Sequence, residues 1–566
     1  MKNDNTNSTD DQTKKQTKVI QFPEKSEIQR SSGENPDSSI ECRYQEETIP
    51  ELGYNDWSAL LGSRKQDSQA KAMVLLASFC ATFFHTPELE TYATIEADGI
   101  EKTISVESKT SEFWLSHLYY KATQNAPSPS SLKTAIRTLK AKALFDGRRA
   151  EVHLRYAAHD GCIYIDLGNE TWEQVEISPD GRRVVSAKDS PIKFRREKGM
   201  AAMCRPAESG SLEPLREILN LESASDFKLI VAWLIGAMNP TGPFPIMTLV
   251  GEQGSSKSTT ARFLKDLTDP ATIDLVALPT NERELAIAAK KTWTLPYDNL
   301  SKLSSGLSDA FCRLATGGGF RTRTLYTNDS EMLFTSTRPV IMNGISDFIT
   351  RQDLADRSII INLAHIPKHK RIPEKQLQAL WESSKPFVFA ALCDALSSSL
   401  KNIGKVKMQE YPRMADFAQL VAAAEPALPW NPGEFSKAYS ENIKKVIDIS
   451  LEADDVAVAV MSLMDDSENT EWTGKASDLK MVLDSIVEDR VRRLKSWPKQ
   501  ANALSSRINR CSTFLRSKGI EIERGKSGDR YICIRKINDS IVHTAQSTET
   551  ADDPESLSRI PWMPEG

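Results

Sequence analysis

The stretch "LVGEQGSSKSTTARFL", residues 249–264, decides the fold. Ahead of it, Ile246-Met247-Thr248-Leu249-Val250 is a short apolar run suited to a buried strand. From Lys257 onward the residues read as a helix. Between them, Gly251 to Ser258 follows the G-x-x-x-x-G-K-S spacing of a phosphate-binding loop, except that Ser256 stands at the second glycine. Strand, glycine-bearing loop and helix is the context in which that spacing has a mechanism. Loop N–H groups curl around an anion at a helix N-terminus. The expected nucleotide-binding set is Gly251, Gly254, Ser255, Ser256, Lys257, Ser258 and Thr259. Lys257 reaches the β- and γ-phosphates, and the Ser258 hydroxyl ligates Mg2+. Serine at 256 is small and keeps its backbone donor, and Gly254 still supplies a flexible point.

Partners for that loop follow along the chain. "KTWTLPYDNLSKL" places an apolar strand directly before Asp298, where a carboxylate beside the phosphate-loop strand holds Mg2+ together with Ser258. Asn299 comes next, where many ATPases carry a glutamate base. An amide cannot accept a proton, so Asn299 only orients water, and hydrolysis is expected to be slow or to lean on Asp298. "RPVIMNGI" repeats the pattern and ends its strand on Asn343, suited to sensing the γ-phosphate. "DLADRSIIINL" then offers Arg357 just before another strand, the residue type that stabilises a transferring phosphoryl group, often from a neighbouring subunit. Between these motifs, "ATGGGFRTRTLYTNDSEMLFTSTRPV" reads as a hairpin with Arg321, Arg323 and Tyr326 on or beside its first strand. Basic and aromatic groups together suit a nucleic-acid backbone and its bases.

With these motifs in order, the chain resembles the superfamily III helicase-like AAA+ ATPases of phages, plasmids and mobile elements. More closely, it resembles the primase-helicase ATP-binding proteins of bacterial genomic islands. The residues that carry this likeness are "GEQGSSKSTTARFL", "YDNLSKLSSGLSDAFCRLATGGGF", "LYTNDSE", "RPVIMNGI" and "DLADRSIIINL". The resemblance implies an ATP- and Mg2+-dependent motor acting on single-stranded or forked DNA. It implies a hexameric ring, with primase or other replication proteins as further partners. A hairpin reaching into the central channel would bring Arg321 or Arg323 to the strand. Primase activity is not implied, because no acidic metal-binding pair stands out in residues 60–210.

Around this core the expected fold class is α/β. It comprises an AAA+ P-loop ATPase core at 211–372, an N-terminal α+β domain at 56–210, a helical lid region at 373–450 and a winged-helix-like domain at 451–536. Residues 1–55 and 537–566 are polar and poor in large apolar groups, so both read as disordered tails. In the N-terminal domain, 68–84 reads as a buried helix, Asp98-Gly99 as a hairpin turn, and Asp160-Gly161 and Asp180-Gly181 as further turns. His153, His159 and Asp160 fit turn chemistry better than a metal site.

Net charge is −5 over 566 residues, which alone gives no sign of a polyanionic partner. Residues 490–536, however, carry fourteen Lys or Arg against three acidic groups. There a helix at about 499–517 precedes two strands around Gly525-Lys526-Ser527-Gly528. Arg507, Arg510, Lys526 and Arg530 are expected to face DNA, with the helix in a groove and the hairpin on phosphates. Eight cysteines form no C-x-x-C pair, and neither a signal peptide nor an apolar run of membrane-spanning length is present. No membrane partner and a cytoplasmic location are therefore expected. The functional expectation is an ATP-dependent DNA helicase or translocase of mobile-element replication. The alternatives are an ATP-gated initiator or loader without processive unwinding, and an NTP-switched defence or signalling scaffold.

Overall fold

The computed structural model of the chain describes residues 69–323, 331–344, 348, 351–452, 454–465, 470–527 and 529–537. Apart from Ile537, the expected tails lie outside these residues. The first module contains α1 (Gln69–Cys80), β1 (Ala81–His85), β2 (Thr91–Ala97), β3 (Ile100–Ser105), α2 (Lys109–Thr123), α3 (Pro129–Phe145) and β4 (Arg148–Arg149). The apolar run expected as one helix divides at Cys80. Ala81-Thr82-Phe83-Phe84 is β-branched and aromatic enough to pair with β2 instead. Asp98 and Gly99 both take positive φ, 55° and 73°, as a two-residue hairpin turn requires. Ser108 and Ser128 cap α2 and α3 by accepting the N–H of Ser111 and Ser131. Ala77, Phe83, Ala93, Ile95, Leu115 and Leu139 form a core of this module's own.

An antiparallel meander follows: β5 (Tyr156–His159), β6 (Cys162–Asp166), β7 (Gln174–Ser178) and β8 (Gly181–Val185). Its inner residues Tyr156, Ile163, Ile165, Val175 and Ile177 join the same core as the central sheet described below. The expected boundary at 210 therefore falls inside one continuous core. Alternation along the strands showed a sheet but not what covered it.

Arg155 fastens the meander. It has positive φ (64°), is fully buried, and its Nε donates to Asp269 Oδ1 at 3.0 Å. Its other nitrogens donate to the carbonyls of Asp166, Ala201 and Pro270. Asp269 also accepts from Lys265 Nζ at 2.7 Å and from the N–H groups of Trp293 and Thr294. Burial raises the Asp269 carboxyl's pKa, but the charges of Lys265 and Arg155 outweigh that and hold it below the usual range. Asp269→Ala would leave two cations buried without their anion. It is expected to cost about 3–5 kcal/mol, read as a lower urea midpoint at unchanged slope.

The central region contains α4 (Glu213–Ile218), α5 (Ala224–Ala237), β9 (Ile246–Val250), α6 (Lys257–Thr268), α7 (Glu282–Lys291), β10 (Leu295–Leu300), α8 (Ser305–Thr316), β11 (Gly319–Arg323), β12 (Glu331–Thr335), β13 (Val340–Gly344), α9 (Gln352–Ala355) and β14 (Ser358–Asn362). Strands β10, β13, β9 and β14, in that order, form an all-parallel sheet. Near-continuous apolar strands such as Ile246–Val250 suit a parallel sheet covered on both faces. The buried α5 packs behind it, and Trp233 Nε1 donates to Pro245 O at 2.7 Å.

Helices α10 (Glu374–Asn402), α11 (Ala415–Ala424) and α12 (Glu434–Glu452) close the region. The last group is α13 (Asp455–Asp465), β15 (Glu471–Gly474), α14 (Ala476–Ile486), α15 (Asp489–Arg493), α16 (Ala501–Ser517), β16 (Ile520–Ser527) and β17 (Asp529–Lys536). Here α16 leads straight into the β16–β17 hairpin, and β15 adds a third strand beside β17. Leu504, Ile508, Phe514 and Leu515 are buried, as their helical spacing predicts.

Candidate functional site

Because all four central strands run parallel, the tips of β9, β10, β13 and β14 share one edge, the usual ligand edge of such sheets. The loop after β9 lies there. Gly251 takes φ 154°, and a Cβ on it would stand 2.6 Å from Leu363 O. Ser256 takes φ 65°, ψ 21°, the left-handed region that its expected glycine would enter freely. A serine there costs about 1–2 kcal/mol. It makes no side-chain bond to the helix N–H groups, which leaves the first-turn amides of α6 available to an anion. Lys257 Nζ folds back on the loop, donating to Gly251 O and Glu252 O at 2.7 Å each. Burial lowers its pKa, and Asp298 opposes that shift.

Ser258 Oγ donates to Asp298 Oδ1 at 3.1 Å, so the two expected Mg2+ ligands meet. Their strands are not neighbours, however. β13 lies between β9 and β10, and α6 crosses over β13 to close the gap. At the β10 tip the register slips: Tyr297 faces Met342 and Leu300 faces Gly344, so Asp298 and Asn299 together oppose Asn343. This bulge gives Asn299 a φ of 57° and turns its backbone N–H onto Asn343 Oδ1 at 2.9 Å. Asn343 is 1% exposed, and with its oxygen engaged its Nδ2 is left buried without a partner among the described residues. Among the described residues no group of three His, Cys, Asp or Glu is placed to hold a metal ion. A divalent cation here would therefore rest on Ser258, Asp298 and oxygens of its ligand.

Arg357 lies elsewhere. It immediately precedes β14, whose Ser358 pairs with Ile246, the first residue of β9. It is therefore at the opposite edge, about 15 Å from the loop after β9 by strand rise. Its Nη1 donates to Asp353 O at 2.7 Å, and among the described residues its buried Nε has no partner. Of the expected DNA-facing hairpin, β11 and β12 pair antiparallel with Arg321 opposite Leu333 and Arg323 opposite Glu331. Tyr326 lies outside the described residues, as do the side chains of Arg321, Arg323, Lys526 and Arg530. Arg510 is exposed on α16. Arg507, expected to project outward, instead pairs with Asp454 at 2.9 Å because α13 begins beside it.

Sequence reasoning missed two contributors. Asn220, between α4 and α5, donates through Nδ2 to Ala364 O at 2.6 Å and Ser255 O at 3.4 Å, tying the chain after β14 to the loop. The segment after β14 then lies along the loop and ends at α10, whose Glu374 pairs with Arg262 of α6 at 3.1 Å.

Residues 212–440 match the family model described as actinomycete integrative conjugative element (AICE) replication protein, and residues 456–549 match the AICE RepA C-terminal domain. The chain is a mobile-element replication protein. The first match spans the parallel sheet with the loop after β9, and the second spans α16 and its hairpin. No curated protein matches this replication protein. Among solved structures it is similar to three apo forms of the NrS-1 C-terminal region. These are 12%, 10% and 11% identical, with TM-scores of 0.38, 0.37 and 0.37, covering 82–84% of this chain and 98–100% of those chains. No helix among its described residues is long and apolar enough to cross a membrane.

Proposed function

We propose that this replication protein is an ATP-dependent DNA motor with an AAA+-type core, assembling as a ring and unwinding or translocating on DNA. The observation that carries the reading is the convergence of Lys257, Ser258, Asp298 and Asn343 at one sheet edge, with Ser258 on Asp298 and a free amide donor on Asn343. Mg2+, held by Ser258 and Asp298, would neutralise developing phosphate charge. Lys257 would leave its two loop carbonyls for phosphate oxygens. The Asn343 amide would donate to the outermost phosphate or the attacking water. Arg357 would serve a neighbouring subunit. DNA would meet the β11–β12 hairpin and the basic α16 group.

A second reading, a nucleotide-gated initiator or loader, is favoured by Asn299. The bulge uses its backbone to fix Asn343 and provides no carboxylate base at that position. The full chain should be assayed for ATP hydrolysis with and without single-stranded DNA, then for strand separation on a forked duplex. DNA-stimulated hydrolysis with separation is expected. Binding without separation would replace the motor by the loader, and a chain that neither hydrolyses ATP nor binds DNA would sink both.

A further inference from the structure

The absence of a side chain at Gly254 makes room for something. A Cβ there would lie 3.0 Å from Arg371 Nη2 and 3.8 Å from His365 Cε1, so two side chains from beyond β14 sit against the outer face of the phosphate loop. Gly254 takes φ 84°, so a substitution would both strain the loop and push the guanidinium away. The segment bearing these groups is fastened along its length. Leu363 N–H donates to Val250 O at 2.9 Å, Ile366 N–H to Gly254 O at 3.4 Å, and Asn220 ties Ala364 to Ser255. Its far end is held by the Arg262–Glu374 pair and by Trp381 stacked on Phe263 at 4.4 Å. Arg371 Nε donates to Ile366 O at 3.2 Å, and among the described residues no carboxylate pairs with the guanidinium.

We propose that Arg371 is a second cationic ligand of the bound triphosphate, supplied by the same subunit as Lys257, with residues 363–371 forming the outer wall of the phosphate site. This rests on the nucleotide-binding reading above. Lys257 is a point charge folded against the loop's own carbonyls. Arg371 offers a planar fork whose Nη donors are uncommitted among the described residues, the geometry suited to two oxygens of one phosphate. The bond from Nε to Ile366 O sets the plane of that fork while the backbone bonds hold its base, so little freedom is lost when an anion arrives.

The test is calorimetric titration of the full chain with Mg-ATP and, separately, with inorganic tripolyphosphate. Arg371→Ala is expected to weaken both by about 10- to 100-fold, the range for a charge-assisted contact. Melting of the ligand-free protein should be unchanged, and Arg371→Lys should recover part of the loss because charge is kept while the fork is not. Affinity of Arg371→Ala within twofold of wild type for both ligands would overturn the proposal. So would a fall in ligand-free melting with no recovery in Arg371→Lys, which would make Arg371 a latch for Ile366. Wild-type protein that bound neither ligand would instead fail the nucleotide reading itself, and the proposal with it.

Discussion

Lys257→Ala is expected to lower ATP hydrolysis by about 10²- to 10³-fold, the cost of removing one preorganised charge donor from a reacting site. The loss should appear in binding too, as disappearance of the melting shift that Mg-ATP gives the wild type. The structure separates this effect from misfolding. Among the described residues the Lys257 ammonium bonds to the carbonyls of Gly251 and Glu252 and the Ser255 hydroxyl, all on the loop itself. Truncation therefore leaves no buried charge behind, and ligand-free stability should stay within about 0.5 kcal/mol. Hydrolysis persisting at a third of the wild-type rate would mean that the loop does not hold the phosphates.

The parts of this site that were legible in the sequence are those set by local chemistry. Strand, loop and helix at 246–268 follow from apolar run, glycine spacing and helix pattern, and the Asp298 and Asn343 strand tips follow from the same signals. The Asp98-Gly99 and Asp160-Gly161 turns were legible because positive φ at consecutive positions demands those residue types, and both pairs show it. Strand order was not legible. Nothing in "YDNLSKL" states that β13 intervenes between its strand and β9, so Asp298 reaches Ser258 only because α6 leans across.

The bulge that turns the Asn299 backbone N–H onto Asn343 also depends on pairing. Only the register against Met342 and Gly344 reveals that two residues share one partner. The run "AHIPKHKRIP" displays its basic residues plainly, yet its place beside Gly254 depends on contacts with Asn220 and α6 made far away in sequence. Arg507 errs in the other direction. Helical periodicity put it outside the small core, and Asp454 from the preceding helix group claimed it.

Arg357→Ala is expected to lower hydrolysis by about 10³-fold or more, the range for an arginine that stabilises a transferring phosphoryl group. Its position at the opposite sheet edge from its own loop means that, in the proposed ring, this is an effect on a neighbour. About 15 Å of strand separates it from residue 250's level, beyond the reach of one side chain. Nucleotide affinity should therefore survive in Arg357→Ala while turnover does not, the reverse of Lys257→Ala. The proposed head-to-tail ring fixes what mixing would do. A site built from the intact Lys257 of one mutant and the intact Arg357 of the other is whole, so equal mixing should restore activity to about one quarter of the wild-type sites. The rival account is that Arg357 merely ties α9 to β14 through Asp353, as its 2.7 Å bond to Asp353 O would allow. In that case Arg357→Ala would lower ligand-free melting, and mixing with Lys257→Ala would restore nothing at any ratio. Recovery on mixing is the measurement that decides between the two.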